Sequence, residues 1–269
     1  MHHTNPISAI TKGEIKVPVI AHVPHGSTFI PEDVRRSIVL SDSDLEKELL
    51  LITDRYTPEL FDAAVDLGGI ALVNNYSRLV IDPERFEDNE KEVMASKGMG
   101  VIYTRTAYQQ VLRRDLSGKE REELLSTYYR PYHRAVELEV EGILDRFDRC
   151  LIIDCHSFPS KPLPYEIDQD PNRPDICIGT DSFHTPKVLI EATLSFCEAN
   201  GIKVAIDKPF AGTYVPLECF GKDGRVSSIM IEVNRSSYMN EETGTKATQF
   251  ICTKELISNI INNIITRCC

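Results

Sequence analysis

Short runs of aliphatic and β-branched residues recur along this chain, each closed by polar or turn-forming residues. Between them lie longer stretches whose apolar positions fall three and four apart. The first pattern predicts buried strands over 17–23, 70–75, 77–82, 101–104, 150–154, 175–179, 202–206 and 226–233. The second predicts helices over 42–52, 58–67, 119–147, 185–199 and 246–265, with Thr57 as N-cap, Pro58 at the first helical position and Gly68 as the stop of 58–67. Strands and helices alternate, so helices are expected on both faces of a mostly parallel or mixed sheet. With no repeat or flexible linker in view, 269 residues and 42% hydrophobic content suit one domain, 1–269, with a full core. Two connections, 83–100 and 158–174, are long and aperiodic, and long loops in compact domains are usually functional.

The junction that says most about chemistry is the apolar run Cys150-Leu-Ile-Ile153 followed by Asp154-Cys-His156-Ser157. A buried strand ending here sets Asp154 and His156 where the backbone opens toward a cleft, the place where open α/β sheets keep their chemistry. The strand 17–23 runs into His22-Val-Pro-His25-Gly-Ser27, bringing two more imidazoles to a second strand end. Two histidine-bearing strand ends point to one shared metal site. His25, His156 and Asp54, which follows helix 42–52, form a three-ligand set with an open fourth position, as a catalytic zinc requires. Extended chain around Pro24 turns His22 and His25 opposite ways, so only one of them is expected to bind metal. Strand alternation likewise points Cys155 away from the residues on either side of it.

The segment Tyr76-Ser-Arg78-Leu-Val-Ile-Asp82-Pro-Glu84-Arg85 places two arginines around an apolar stretch. A guanidinium fork there suits a planar carboxylate, the alternative being a structural ion pair with Asp82, Glu84 or Glu87. Ser228-Ile-Met-Ile-Glu232-Val-Asn-Arg235 inserts one carboxylate into an apolar strand. Burial raises such a group toward the range where it can take and return a proton near neutrality, unless Arg235 holds it in an ion pair. His133 and His184 are candidate substrate or supporting contacts.

A formal charge of -11, from 41 acidic and 30 basic residues, argues against nucleic-acid and anionic-membrane partners and says little more. No basic segment followed by an apolar core opens the chain, so no secretory signal is expected. No apolar run approaches the roughly 18 residues of a membrane span. The eight cysteines, at 150, 155, 177, 197, 219, 252, 268 and 269, lack C-x-x-C spacing and read as reduced residues of a cytoplasmic protein. The terminal Cys268-Cys269 pair is expected to be exposed and oxidation-prone.

Eight motifs in order resemble the N-formylglutamate amidohydrolase family: His22-Val-Pro-His25 through Pro31, Thr53-Asp54-Arg-Tyr-Thr, Ser77-Arg78 through Arg85, Tyr129-Arg-Pro-Tyr-His133, Asp154-Cys-His156-Ser157, Asp175-Ile-Cys-Ile-Gly179, Pro209-Phe-Ala-Gly212 and Ile231-Glu232-Val-Asn-Arg235. They span most of residues 20–240. The resemblance implies a three-layer α/β/α sandwich with a mixed, mostly parallel sheet, akin to zinc carboxypeptidases and aspartoacylase, and one zinc ion. It implies His25, Asp54 and His156 as ligands, Glu232 as general base, Arg78 and Arg85 as carbonyl and carboxylate binders, and Gly212 in the substrate cleft. The implied reaction is hydrolysis of N-formyl-L-glutamate to formate and L-glutamate, in histidine degradation. Alternatives are a hydrolase of another N-acyl amino acid or small peptide, or a non-catalytic small-molecule binding protein on the same scaffold. One departure stands out: where such proteins commonly read Asp-x-Asn-Arg, this chain has Asp82-Pro-Glu84-Arg85. On an alternating strand Glu84 is expected to point outward while Arg85 faces the cleft.

Overall fold

A computed structural model describes residues 5–268, without the side chain of Cys268, so the expectation for the Cys268-Cys269 pair lies outside the described residues. Strands β1 (Ile7–Ile10), β2 (Val19–Val23), β3 (Ile70–Asn74), β4 (Cys150–Phe158), β5 (Ile176–Gly179), β6 (Val204–Ile206) and β7 (Val226–Asn234) form a seven-stranded sheet in the order β1-β3-β2-β4-β7-β5-β6. The β2–β3, β2–β4, β4–β7 and β5–β6 pairings are parallel; β1–β3 and β5–β7 are antiparallel. The helices are α1 (Glu32–Arg35), α2 (Asp42–Ile52), α3 (Thr57–Leu60), α4 (Ala63–Asp66), α5 (Gly118–Leu124), α6 (Arg130–Phe147), α7 (Lys187–Ala199) and α8 (Phe250–Cys268). No helix among the described residues is long and apolar enough to cross a membrane.

Strand alternation sorts the apolar side chains into two layers. Val19, Ala21, Leu151, Ile153, Cys155, Ile229 and Ile231 pack with residues of α3, α4, α7 and α8 on one face. Ile20, Leu72, Cys150, Ile152 and Val226 pack with Tyr132, Val136, Val140 and Ile143 of α6 on the other. The result is the expected α/β/α sandwich, and Cys155 sits on the face away from Asp154 and His156. The polar residues His22, Asp154, His156 and Glu232 continue the α6-facing rows toward the carboxyl ends of their strands. His22 pairs in register with Asp154, and His156 with Glu232.

Four expectations change. The runs 77–82 and 101–104 are turns and loops, although Leu79, Val80, Ile81, Val101 and Tyr103 are buried. They fill clusters of loop-borne residues, and an apolar run reports burial without reporting a ladder. Helix 58–67 breaks into α3 and α4. Thr57 lies inside α3 rather than capping it, behind Tyr56 in the left-handed region (φ 67°). Helix 119–147 is interrupted by a π-helical turn, Leu125–Tyr129, directly before Pro131, whose missing N–H and ring obstruct regular α-helix. Strand β1 was not anticipated because only Ile7 of its four residues is buried.

Glu48 on α2 is buried, with Oε1 accepting the Ala107 N–H at 2.7 Å. Burial pushes its carboxyl group up to about 7, against the pull of that N–H. The folded protein therefore binds this proton more tightly than the unfolded chain, whose value is near 4.5. Its contribution to stability is present at low pH and is lost as pH rises through 7. The stability of wild type relative to Glu48→Gln should fall between about pH 4.5 and 7 and level off above, as read by urea unfolding. A difference independent of pH would remove Glu48 as the cause.

Candidate active site

Asp54 lies two residues beyond α2, and its N–H donates to the His25 carbonyl at 3.0 Å, which joins the α2 exit to the chain leaving β2. Thr57 Oγ1 donates to the Asp54 carbonyl at 2.8 Å and fixes the turn from the other side. With His156 from β4, three buried acceptors converge. His25 Nδ1 and His156 Nδ1 are 3.3 Å apart, and Asp54 Oδ2 lies 3.2 Å from His156 Nδ1 and 3.7 Å from His25 Nδ1. The outer nitrogens have their own acids. His25 Nε2 meets Asp82 Oδ1 at 2.9 Å, while His156 Nε2 meets Asp154 Oδ1 at 3.0 Å and Glu84 Oε1 at 3.1 Å. With the ring protons on Nε2 toward these carboxylates, both Nδ1 atoms are free to accept a metal ion beside Asp54, in competition with the proton that the surrounding acids favour on His156.

The two histidines of the β2 exit fall into different groups, His25 with Asp54 and His156, and His22 with Glu84 and Asp154, and the donor atoms of either group lie close enough to hold a metal ion. His25 belongs to this triangle. His22 instead holds Asp154 Oδ1 at 2.9 Å through Nδ1, with Tyr132 Oη at 2.5 Å from its Nε2 and the Tyr214 ring stacked on it. The Tyr214 N–H donates to Asp154 Oδ2 at 2.9 Å, so Asp154 is fully engaged in orienting His156. Burial opposes ionisation of both Asp54 and Asp154, yet the surrounding imidazoles, and Arg235 at Asp54, hold both well below the usual carboxylate range. Burial likewise lowers His156, but Glu84, Asp154 and Asp54 outweigh it and hold the imidazole well above its ordinary value.

Glu232 is buried beside His156 and its Oε2 has no hydrogen-bond partner. The anticipated rival, a pair with Arg235, is not formed. Arg235 Nη2 donates to Asp54 Oδ1 at 2.8 Å and Nε to Ser157 Oγ at 3.2 Å, with Nη1 on the Leu51 carbonyl. Burial, with Asp54 and Glu84 adding to it, pushes Glu232 up to about 8.

Arg78 donates through Nη2 and Nε to Asp82 Oδ2 at 2.7 and 3.2 Å, so the ion-pair alternative weighed for it is realised while it still lines the cavity. Tyr103 Oη donates to the same oxygen at 2.6 Å. Glu84 does not point outward. The Asp82 side chain accepts the Glu84 N–H at 3.0 Å and the Arg85 N–H reaches the Asp82 carbonyl, so residues 82–85 turn where a strand was expected. Alternation does not apply in a turn, and Glu84 and Arg85 both face the cavity. His133 also lines it, with Nδ1 3.1 Å from Tyr214 Oη, and burial lowers it to about 4. His184 does not. Its Nδ1 meets the Val226 carbonyl at 2.7 Å and its Nε2 accepts the Gly221 N–H at 2.8 Å, which uses both nitrogens on backbone. Gly212 (φ 91°) lines the cavity, and its carbonyl approaches Gly179 so closely that a Cβ there would lie 2.1 Å away. The cavity measures about 440 Å³ and is bounded by both long connections, through Pro83 to Val93 and through Phe158, Pro159 and Tyr165. Asp82 and Arg235, not singled out from sequence as site groups, are the acid and base that hold the triangle in place.

Buried carboxyl groups set against converging imidazoles, at the carboxyl ends of a parallel core, are the equipment of an α/β enzyme that activates water. Known proteins narrow that class. The family model of N-formylglutamate amidohydrolase matches residues 17–239. The N-formylglutamate deformylase of Pseudomonas putida is 29% identical over 232 residues, 84% of this chain and 83% of that protein. That of Pseudomonas aeruginosa is 27% identical over 233 residues, 84% of each. Among solved structures, N-formylglutamate amidohydrolase from Ralstonia eutropha superposes with a TM-score of 0.83 over 98% of both chains at 23% identity. A gene product of Agrobacterium tumefaciens does so with 0.69 over 97% of both at 17%. The chain belongs to the N-formylglutamate amidohydrolase family.

In metal-free protein, ¹⁵N NMR should find the His156 ring still doubly protonated well above pH 6.5, and Glu84→Gln should bring its titration down. A wild-type midpoint near the ordinary value would show that the surrounding acids do not act as described.

Proposed function

We propose that the chain hydrolyses the amide bond of N-formyl-L-glutamate to formate and L-glutamate, as a step of histidine degradation, with one zinc ion held by His25, Asp54 and His156. The observation that carries this reading is the unpartnered, buried Oε2 of Glu232 beside three converging acceptors. Family membership supports the substrate. The donor set fits the ion: bonds of about 2.0–2.1 Å in a tetrahedron give ligand separations near 3.3–3.4 Å, against 3.2, 3.3 and 3.7 Å between these atoms. When bound, zinc supplies Lewis acidity that polarises a carbonyl and brings a water's pKa toward about 7.

The chain's own groups do the rest. Glu232 Oε2 accepts the proton of the attacking water and returns it to the leaving amine nitrogen, the role for which a carboxyl group with a raised pKa is suited. Arg78 commits two nitrogens to Asp82, so its remaining guanidinium protons are what it offers to the oxyanion of the tetrahedral intermediate. Asp82 and Asp154 hold His25 and His156 in the orientation that presents Nδ1. Arg85 binds a substrate carboxylate, with His133 and Gly212 on the cavity wall. The buried thiols of Cys155, Cys177 and Cys197 support a reducing compartment, the cytoplasm.

Glu232→Gln should lower formate release by at least about 10²-fold while zinc content, read by elemental analysis, stays at one equivalent. Normal turnover would place the base elsewhere. His156→Ala should lose the metal, and Asp82→Ala should weaken zinc binding by roughly 10–100-fold. Full occupancy in His156→Ala would remove these residues as the metal site.

A further inference from the structure

Beside the triangle of His25, Asp54 and His156 stands a second group of metal-binding side chains. One ligand atom from each of His22, Asp154 and Glu84 lies within 4.8 Å of the other two, with His22 and Asp154 buried and Glu84 partly so. His22 Nδ1 is 2.9 Å from Asp154 Oδ1 and 3.7 Å from Glu84 Oε1. Those separations bracket the roughly 3.3–3.4 Å between ligands of a tetrahedral ion with bonds of about 2.0–2.1 Å. An imidazole with two carboxylates suits zinc and neighbouring first-row divalent metals.

Each of the three atoms can turn a lone pair to an ion. His22 Nε2 lies 2.5 Å from Tyr132 Oη, and a hydroxyl both donates and accepts. The ring proton can therefore sit on Nε2, donated to Tyr132, and leave the Nδ1 lone pair facing Asp154 and Glu84. A hydrogen bond at the far nitrogen is what orients a ligating imidazole. Asp154 Oδ1 and Glu84 Oε1 meet His156 Nε2 at 3.0 and 3.1 Å, which takes one lone pair of each oxygen. A carboxylate oxygen has two, so the other is open to an ion. The Tyr214 N–H braces Asp154 from behind, at Oδ2. Glu84 also reaches the first group, with Oε2 3.6 Å from His25 Nδ1, so its two oxygens face the two groups.

We infer that His22 Nδ1, Asp154 Oδ1 and Glu84 Oε1 form a second, weaker divalent-cation site beside the zinc triangle, with Glu84 spanning the two. An ion here enters next to a bound dication and displaces the His22 proton from Nδ1 to Nε2. It therefore binds less tightly than the first and fills only when zinc exceeds one equivalent. Occupied, the site fixes Glu84 and sets positive charge in the cavity wall, which Glu84 and Asp154 line. It is defined by metal binding, whatever reaction the cleft performs.

The test titrates chelator-stripped full-length protein with zinc, by calorimetry and by elemental analysis after dialysis against excess zinc. Wild type should bind two equivalents, the second at least about tenfold more weakly than the first and lost on passage through metal-free buffer. Glu84→Gln should keep the first equivalent and lose the second. His22→Asn, whose amide N–H can still donate to Asp154, should do the same. In zinc-soaked crystals an anomalous peak should lie between His22 Nδ1, Asp154 Oδ1 and Glu84 Oε1. A single equivalent in excess zinc, or a second that survives both substitutions, overturns the inference. If His22→Asn does not fold, Glu84→Gln and the position of the peak decide. Two equivalents at these positions without formate release from N-formylglutamate overturns the hydrolase reading and leaves the second site standing.

Discussion

The parallel alignment of β4 between β2 and β7 is the constraint on which the site depends. Parallel partners present side chains of the same register to the same face, so one set of pairings decides both what is core and what is chemistry. With Ile20 beside Ile152 and Ile153 beside Ile229, the apolar rows fall on opposite faces. The same register then sets His22 beside Asp154 and His156 beside Glu232. A one-residue slip of β4 would turn Asp154 and His156 toward the α8-side core and carry Leu151 and Ile153 to the face of α6. The hydrophobic layers thereby position polar groups that could not hold themselves together.

Burial of so many ionisable groups is tolerable only because nearly all are tied in chains of opposite charge and hydrogen bonds. Arg78 holds Asp82, which holds His25. Arg235 holds Asp54, which meets His156. Tyr132 holds His22, which holds Asp154, which also meets His156. Beside the triangle, Glu232 keeps one oxygen unpartnered and Glu84 meets imidazoles. Both face the cavity.

His25, Asp54, His156 and Glu232 were legible in the sequence because each is a polar residue placed at the end of an apolar run, or inside one, where the pattern predicts burial. The layered architecture was legible for the same reason. What failed was the segment 77–85. Leu79, Val80 and Ile81 are buried by loop packing, so hydrophobicity there suggested a strand, and strand alternation then sent Glu84 the wrong way. The signal that could have corrected this is Asp82-Pro83, since an aspartate before a proline favours a turn closed by its own side chain. His184 failed differently. A histidine's role depends on where its two nitrogens go, and the backbone groups of Val226 and Gly221 that take them are distant in sequence. Arg235 was visible only as a rival partner for Glu232, because the carboxylate it holds, Asp54, is brought to it by the fold alone.

This division between strand and loop bears on how specificity can change. His156 and Glu232 sit on the central strands, and Asp54 is tied to the exit of β2 by the hydrogen bond of its N–H to the His25 carbonyl, so these four side chains are set by the core. Glu84, Arg85, Phe86, Leu217 and Phe220 lie on connections, whose conformation the sheet does not dictate. The fold is shared with the Ralstonia eutropha protein at a TM-score of 0.83 although only 23% of residues are identical. Chains that differ at most positions thus reach the same sheet and the same layers. Change in those loops can therefore alter what lines the cavity without disturbing the register that sets His156 beside Glu232.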